Sequence, residues 1–92
     1  MMKATKIHMK RGCEHVADVR EIAQIYLEDG MRQGWCDKED VHDFLKQRAR
    51  AIYVNIWPYP KLLPATSVRG EKYVRSEPND TPNDNLLQLP HV

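Results

Sequence analysis

The sequence predicts a small α+β domain, on three observations. Lys3–Lys10 alternates apolar and polar residues at the period of a half-buried strand. Asp37–Arg48 opens with capping and acidic residues and then repeats apolar side chains at helical spacing. Ala51–Trp57 is a second alternating run, rich in β-branched residues. A chain of 92 residues falls near the lower end of the ~100–150 usual for a domain. The expectation is therefore one α+β domain over 1–77, with 78–92 as an irregular tail packed on it.

In the first strand Thr5, Ile7 and Met9 alternate with Lys6, His8 and Lys10, leaving one wet basic face, and Gly12 ends the run. His15–Glu28 is ambiguous. Val16, Val19, Ile22, Ala23 and Tyr26 fit a helix, whereas Ala17, Val19, Ala23, Ile25 and Leu27 fit a strand broken by Glu21, and periodicity slightly favours the helix. Gly30 and Gly34 mark a loop. The Asp37-Lys-Glu-Asp40 segment then starts a helix over about Lys38–Arg48, with Asp37 as the capping acceptor and Val41, Phe44 and Leu45 as the buried stripe.

In Ala51–Trp57, Ile52, Val54 and Ile56 share one face and Tyr53, Asn55 and Trp57 the other. Pro58 and Pro60 close it, since neither offers a backbone donor. Leu62–Val68 and Glu71–Ser76 flank Arg69-Gly70, a hairpin turn in which glycine takes the positive φ. From Pro78 the P-N-D-T-P-N-D-N stretch is turn chemistry, and Leu86, Leu87 and Leu89 either fold back on the domain or leave the tail mobile.

With 41% hydrophobic and 29% charged residues and a mean hydropathy of −0.68, the chain is too apolar for full disorder and too polar for a membrane protein. A cytoplasmic protein is the default, and two cysteines do not make a disulfide framework. The net charge of +1 conceals segregation. Met1–Gly12 carries +4, Cys13–Asp43 −6, Phe44–Arg75 +6 and Ser76–Val92 −3. Such blocks either neutralise one another on folding or leave separate basic and acidic faces.

Cys13, His15, Cys36 and His42 are ligand types that zinc uses, but their spacing matches no close-paired finger, so no metal is expected. Cysteine catalysis would need an oriented base and an oxyanion hole, which Cys13 beside His15 does not supply. The adjacent carboxylate pairs Glu28-Asp29 and Glu39-Asp40 diverge on any regular element, and no phosphate-binding glycine motif is present. What remains is a basic and aromatic set in the C-terminal half. Rings on a strand face beside cations suit stacking of unpaired bases and pairing with phosphates.

Several segments resemble a small bacterial and phage domain family of unknown function. They are Trp35 with the acid-capped helix after it, A-I-Y-V-N-I at Ala51–Ile56, G-E-K-Y-V-R-S-E-P-N-D-T at Gly70–Thr81, and D-N-L-L-Q-L-P at Asp84–Pro90. His15-Val16 matches the family's His-Val/Ile pair, and the tail matches its Y-[IV]-R-[ST]…P-N…D-N-L…L-P signature. The resemblance implies a small antiparallel sheet with one main helix in the order β-β-α-β-β-β, which makes the ambiguous segment a strand.

The opening M-K-A-T-K-I-H-M-K-R-G, the length and the charge blocks also resemble phage-encoded anti-CRISPR proteins of the type I-F class. That resemblance implies a non-enzymatic inhibitor in the cytoplasm of an infected bacterial host. Its partners would be Cas subunits of the surveillance complex and their crRNA, and it would block target DNA hybridisation. No cofactor, membrane or small-molecule substrate is implied. The expected RNA- and complex-binding residues are Arg48, Arg50, Trp57, Tyr59, Lys61, Arg69, Lys72 and Arg75. The expected acidic, partner-facing residues are Glu28, Asp29, Asp37, Glu39 and Asp40. The alternative is a free-standing single-stranded nucleic-acid-binding domain of phage or bacterial origin, recognised by salt-dependent affinity for naked strands.

Overall fold

The computed structural model describes residues 1–78 and 84–92, so the centre of the P-N…D-N tail pattern lies outside the described residues. The protein is a small α+β domain with one main helix. In chain order the elements are β1 (Met2–Met9), β2 (Ile22–Asp29), β3 (Arg32–Asp37), α1 (Lys38–Gln47), β4 (Ile52–Val54), β5 (Leu62–Thr66) and β6 (Lys72–Ser76). Short 3₁₀ turns at Val19–Glu21 and Asn85–Gln88 complete them. One sheet runs β3-β2-β1-β4, antiparallel except for the β1–β4 pair, and β5–β6 form a separate antiparallel hairpin.

The ambiguous segment is a strand from Ile22 to Asp29, and its helical appearance has a structural cause. Met9 pairs with Ile22 and His8 with Gln24, so Ala23 is an extra residue in the ladder. A bulge at Ala23 sets the buried Ile22 and Ile25 three positions apart, a spacing that imitates a helix face. The same device recurs in β1. Ala4 pairs with Leu27 and Lys6 with Tyr26, leaving Thr5 unopposed and spacing the buried Ala4 and Ile7 by three.

The segment read as a loop around Gly30 and Gly34 holds one more strand. Asp29 pairs with Arg32, closing a two-residue turn in which Gly30 takes φ +60, the positive value that a type II′ turn places first. Gly34 then lies in β3 opposite Leu27, where the ladder holds a residue that has low strand propensity on its own. The Ala51–Trp57 run is strand only at Ile52–Val54. Asn55 still donates to the Ala4 carbonyl, but Ile56 N–H turns back to the Val54 carbonyl and Tyr59 N–H to the Ile56 carbonyl. These turn bonds end the alternation before Trp57.

α1 begins at Lys38 as expected, though Asp37 makes no capping bond with its side chain. The Asp37 carboxylate instead accepts from the Gln24 side-chain amide at 2.9 Å, across the β2–β3 pair. Val41 and Leu45 are 2% and 1% exposed, and burial on that scale stabilises by about 1.5–3 kcal/mol per side chain. They join Ile7, Ile25, Val54, Leu62 and Val74 in a single core between the four-stranded sheet and a layer made of α1 and the hairpin. The tail contributes as well: Leu86 and Leu89 are buried in the same cluster. Pro90 and Val92 then exchange backbone hydrogen bonds with Ile7, at 2.9 Å each.

All the buried apolar residues of α1, the hairpin and the tail lie on one side of the sheet. The other side presents Lys3, Lys6 and His8 of β1, Tyr26 of β2, Trp35 of β3 and Tyr53 of β4, all exposed or half-buried. Among the described residues no helix or strand packs over it. No helix of the described residues is long and apolar enough to cross a membrane.

Candidate functional site

The chain between β4 and β5 gathers three aromatic rings at one corner of the sheet. Tyr53 pairs with Lys61 across an isolated antiparallel bridge, and Val54 N–H donates to the Pro60 carbonyl at 2.8 Å. Between those anchors Tyr59 adopts φ +59, a left-handed conformation that a non-glycine residue holds only when its surroundings impose it. The result is a T-shaped pair of Tyr53 and Tyr59 at 6.1 Å and a second of Tyr59 and Trp57 at 6.0 Å. Trp57 is 77% exposed and Tyr59 49%.

Lys61 places its ammonium 5.4 Å from the Tyr53 ring centroid and donates to the Met1 sulfur, with no ion pair among the described residues. Met1, Tyr53, Asn55, Tyr59 and Lys61 line an open depression of about 380 Å³. Arg50, at φ +62, reaches the same corner through Glu77, whose carboxylate accepts from Lys61 N–H at 2.9 Å and from the Arg50 guanidinium at 3.0 Å. The Lys61 amide and the Arg50 guanidinium hold the Glu77 carboxyl below its usual range.

Arg50, Trp57, Tyr59 and Lys61 therefore share one place, whereas the other expected basic residues lie elsewhere. Arg48 follows the last turn of α1, exposed and without an ion pair among the described residues. Lys72 on β6 pairs with Asp43 of α1 at 2.9 Å, so its charge is matched within the fold. Arg75 extends from β6 opposite Leu63, and Arg69 sits in the β5–β6 loop, beside Arg20 and Glu71. The charge blocks thus partly neutralise one another.

The acidic set also divides. Glu28 and Asp29 end β2 beside the turn into β3, whereas Asp37 ends β3 just before α1 and Glu39 and Asp40 occupy the first turn of α1. The length of β3, about 17 Å at the rise of an extended strand, separates the two groups.

The two cysteines are held as thiols. The Glu21 carboxylate, 3.3 Å from Cys13 Sγ, raises the Cys13 pKa, and burial followed by the nearby Asp40 and Asp37 raises that of Cys36. Among the described residues no cluster of three or more His, Cys, Asp or Glu side chains is placed to hold a metal ion.

Sequence reasoning missed the cations and rings on the uncovered sheet face. The Lys6 ammonium lies 4.3 Å from the centroid of Tyr26, and Tyr26 packs edge-on against Trp35 at 5.2 Å. The wet basic face of the first strand was half of that signal. The other half needs the cross-strand register, because the sequence reading puts Trp35 on no strand.

A corner of edge-to-face rings and a bare sheet face lie on the core of a small α+β domain. Over residues 3–90 the sequence matches the family described as "Protein of unknown function (DUF3892)", and the chain belongs to that family. No curated protein and no solved structure matches it.

Proposed function

We propose that the protein is a non-enzymatic binding domain for single-stranded nucleic acid, seated first on the corner formed by Tyr53, Trp57, Tyr59 and Lys61. The observation that carries this reading is three rings held in place beside an ammonium that has no carboxylate partner among the described residues. Flat rings stack on any base, and a neighbouring cation attracts the phosphates. Arg50 behind Lys61 is ion-paired with Glu77, which leaves Lys61 as the cation of the corner open to a phosphate. Two thiols with raised pKa values support a binding role over cysteine catalysis.

In its narrower form the reading is that of an anti-CRISPR protein. The corner would meet the crRNA of a type I-F surveillance complex in the cytoplasm of an infected bacterium, and the block of target DNA hybridisation would follow. The exposed Asp29, Asp37, Glu39 and Asp40, with the half-buried Glu28, would face basic Cas subunits.

Fluorescence anisotropy with a labelled single-stranded oligonucleotide tests the broader reading. The expected result is affinity that weakens linearly with the logarithm of salt concentration, and a loss of about 5- to 150-fold in Trp57→Ala, the range for one stacked base. No binding at low salt overturns it. A pull-down with the purified type I-F complex, followed by a target-DNA shift assay, tests the narrower form. Target binding left intact at saturating protein overturns that form alone.

A further inference from the structure

The uncovered face of the four-stranded sheet is more than the absence of a covering layer. Its central row runs Trp35–Tyr26–Lys6 straight across β3, β2 and β1, since Tyr26 pairs with both Trp35 and Lys6. The row contains no carboxylate. The next row is Gln33–Glu28–Lys3–Tyr53, which reaches the aromatic corner through Tyr53. On the other side His8 and Gln24 pair, and Asp37 is engaged by Gln24. Lys3 and Lys6 make no ion pair among the described residues, and of the two carboxylates on the face Glu28 stands opposite Lys3 while Asp37 lies at the end of the edge strand β3.

The rings are fixed rather than loosely exposed. Trp35 packs edge-on against Tyr26 at 5.2 Å and against His8 at 6.3 Å, while remaining 38% exposed. Edge-to-face pairs restrain both rings, which lowers the entropy lost when a base stacks on them. We infer that Trp35 and Tyr26 form a second stacking station for single-stranded nucleic acid, and that Lys3 and Lys6 carry the phosphates between it and the Tyr53–Tyr59–Trp57 corner. This rests on the reading given above and extends it to a path. Three strand spacings separate β3 from β4, about 14 Å, which spans about four nucleotides at the ~3.4 Å rise of stacked bases.

The chain has two tryptophans, one in each station, so each can be observed alone. Trp57→Phe leaves Trp35 as the only tryptophan reporter, and Trp35→Phe leaves Trp57. Both variants are titrated with a poly-pyrimidine single strand of about twelve nucleotides, within the site sizes such proteins cover. Quenching of both reporters at the same affinity, with Lys6→Gln weakening binding several-fold and lowering the salt slope by about one, is the expected result. Quenching of Trp57 with Trp35 unmoved overturns the second station and leaves the corner standing. If Trp35 alone responds, the face binds and the corner is not the seat. If neither responds and anisotropy is flat, both readings fall. Unchanged binding and salt slope in Lys6→Gln removes the phosphate path, and circular dichroism of each variant confirms that the comparison is between folded proteins.

Discussion

The Lys38 ammonium lies 2.7 Å from the Glu71 carboxylate, joining the first turn of α1 to the loop of the β5–β6 hairpin. Lys38 is 1% exposed and also donates to the Arg20 carbonyl at 2.5 Å, which ties in the 3₁₀ turn before β2. Lys10 meets the same carboxylate at 2.5 Å. Two ammonium groups distant in sequence, Lys10 and Lys38, thus converge on one acid.

Neutralising that acid leaves a buried ammonium with neutral carbonyl acceptors and no counter-charge. Glu71→Gln is expected to destabilise the fold by about 2–3 kcal/mol. The value is below that for a fully enclosed pair, because the Glu71 side chain is 34% exposed and partly screened by water. Urea unfolding of the variant against the parent measures the difference.

The same contacts give an acid dependence of defined sign. Hydrogen bonds from Lys10 and then Lys38 lower the Glu71 pKa from 4.5 to about 2. A carboxyl depressed in the folded state contributes stability that is present above its unfolded pKa and lost as pH falls through the folded one. Denaturant midpoints should therefore fall between about pH 4.5 and pH 2, and Glu71→Gln should flatten that fall. A variant curve parallel to the parent's would show that other groups govern it.

Thr5 is the unopposed residue of the β1 bulge, and its hydroxyl is buried without a hydrogen-bond partner among the described residues. Valine keeps the shape and removes the unsatisfied group. Thr5→Val should stabilise by about 1 kcal/mol, read as a rise in thermal midpoint with the native spectrum retained.

Gly70 turns the hairpin at φ +85, and a Cβ placed there meets no atom of the described residues within 4 Å. Substitution costs conformation rather than space. Gly70→Ala should destabilise by about 1–2 kcal/mol, and Gly70→Asn by less, because asparagine tolerates the left-handed region better.

Leu86 belongs to the tail yet is fully buried in the core. Leu86→Ala should cost about 2–5 kcal/mol, the range for a core leucine, and hydrogen exchange should quicken at Ile7 as the tail loosens.

What the sequence revealed depended on how regular each element is. α1 was legible almost to the residue, because Val41 and Leu45 keep helical spacing and acids crowd its first turn. The core faces of β1 and β4 were legible from Ile7, Met9, Ile52 and Val54. β2 needed the family resemblance, since its bulge at Ala23 shifts the alternation. β3 carried no signal: Gly34 interrupts it and its ladder partner, β2, was itself in doubt. The candidate site divided in the same way. Trp57, Tyr59 and Lys61 stood out as local neighbours, whereas Trp35, Tyr26 and Lys6 become neighbours only through pairing between strands.

β1 is bordered by partners from far along the chain. Ile52–Val54 flanks its beginning, and Pro90 and Val92 hydrogen-bond to Ile7 further on. During synthesis the first strand therefore waits on one edge until residues some eighty positions later have left the ribosome. Contacts of such separation slow folding, and an unpaired edge is a template for association while it waits. Pro90 and Val92 thus close a flank of β1 that stays open until they are in place.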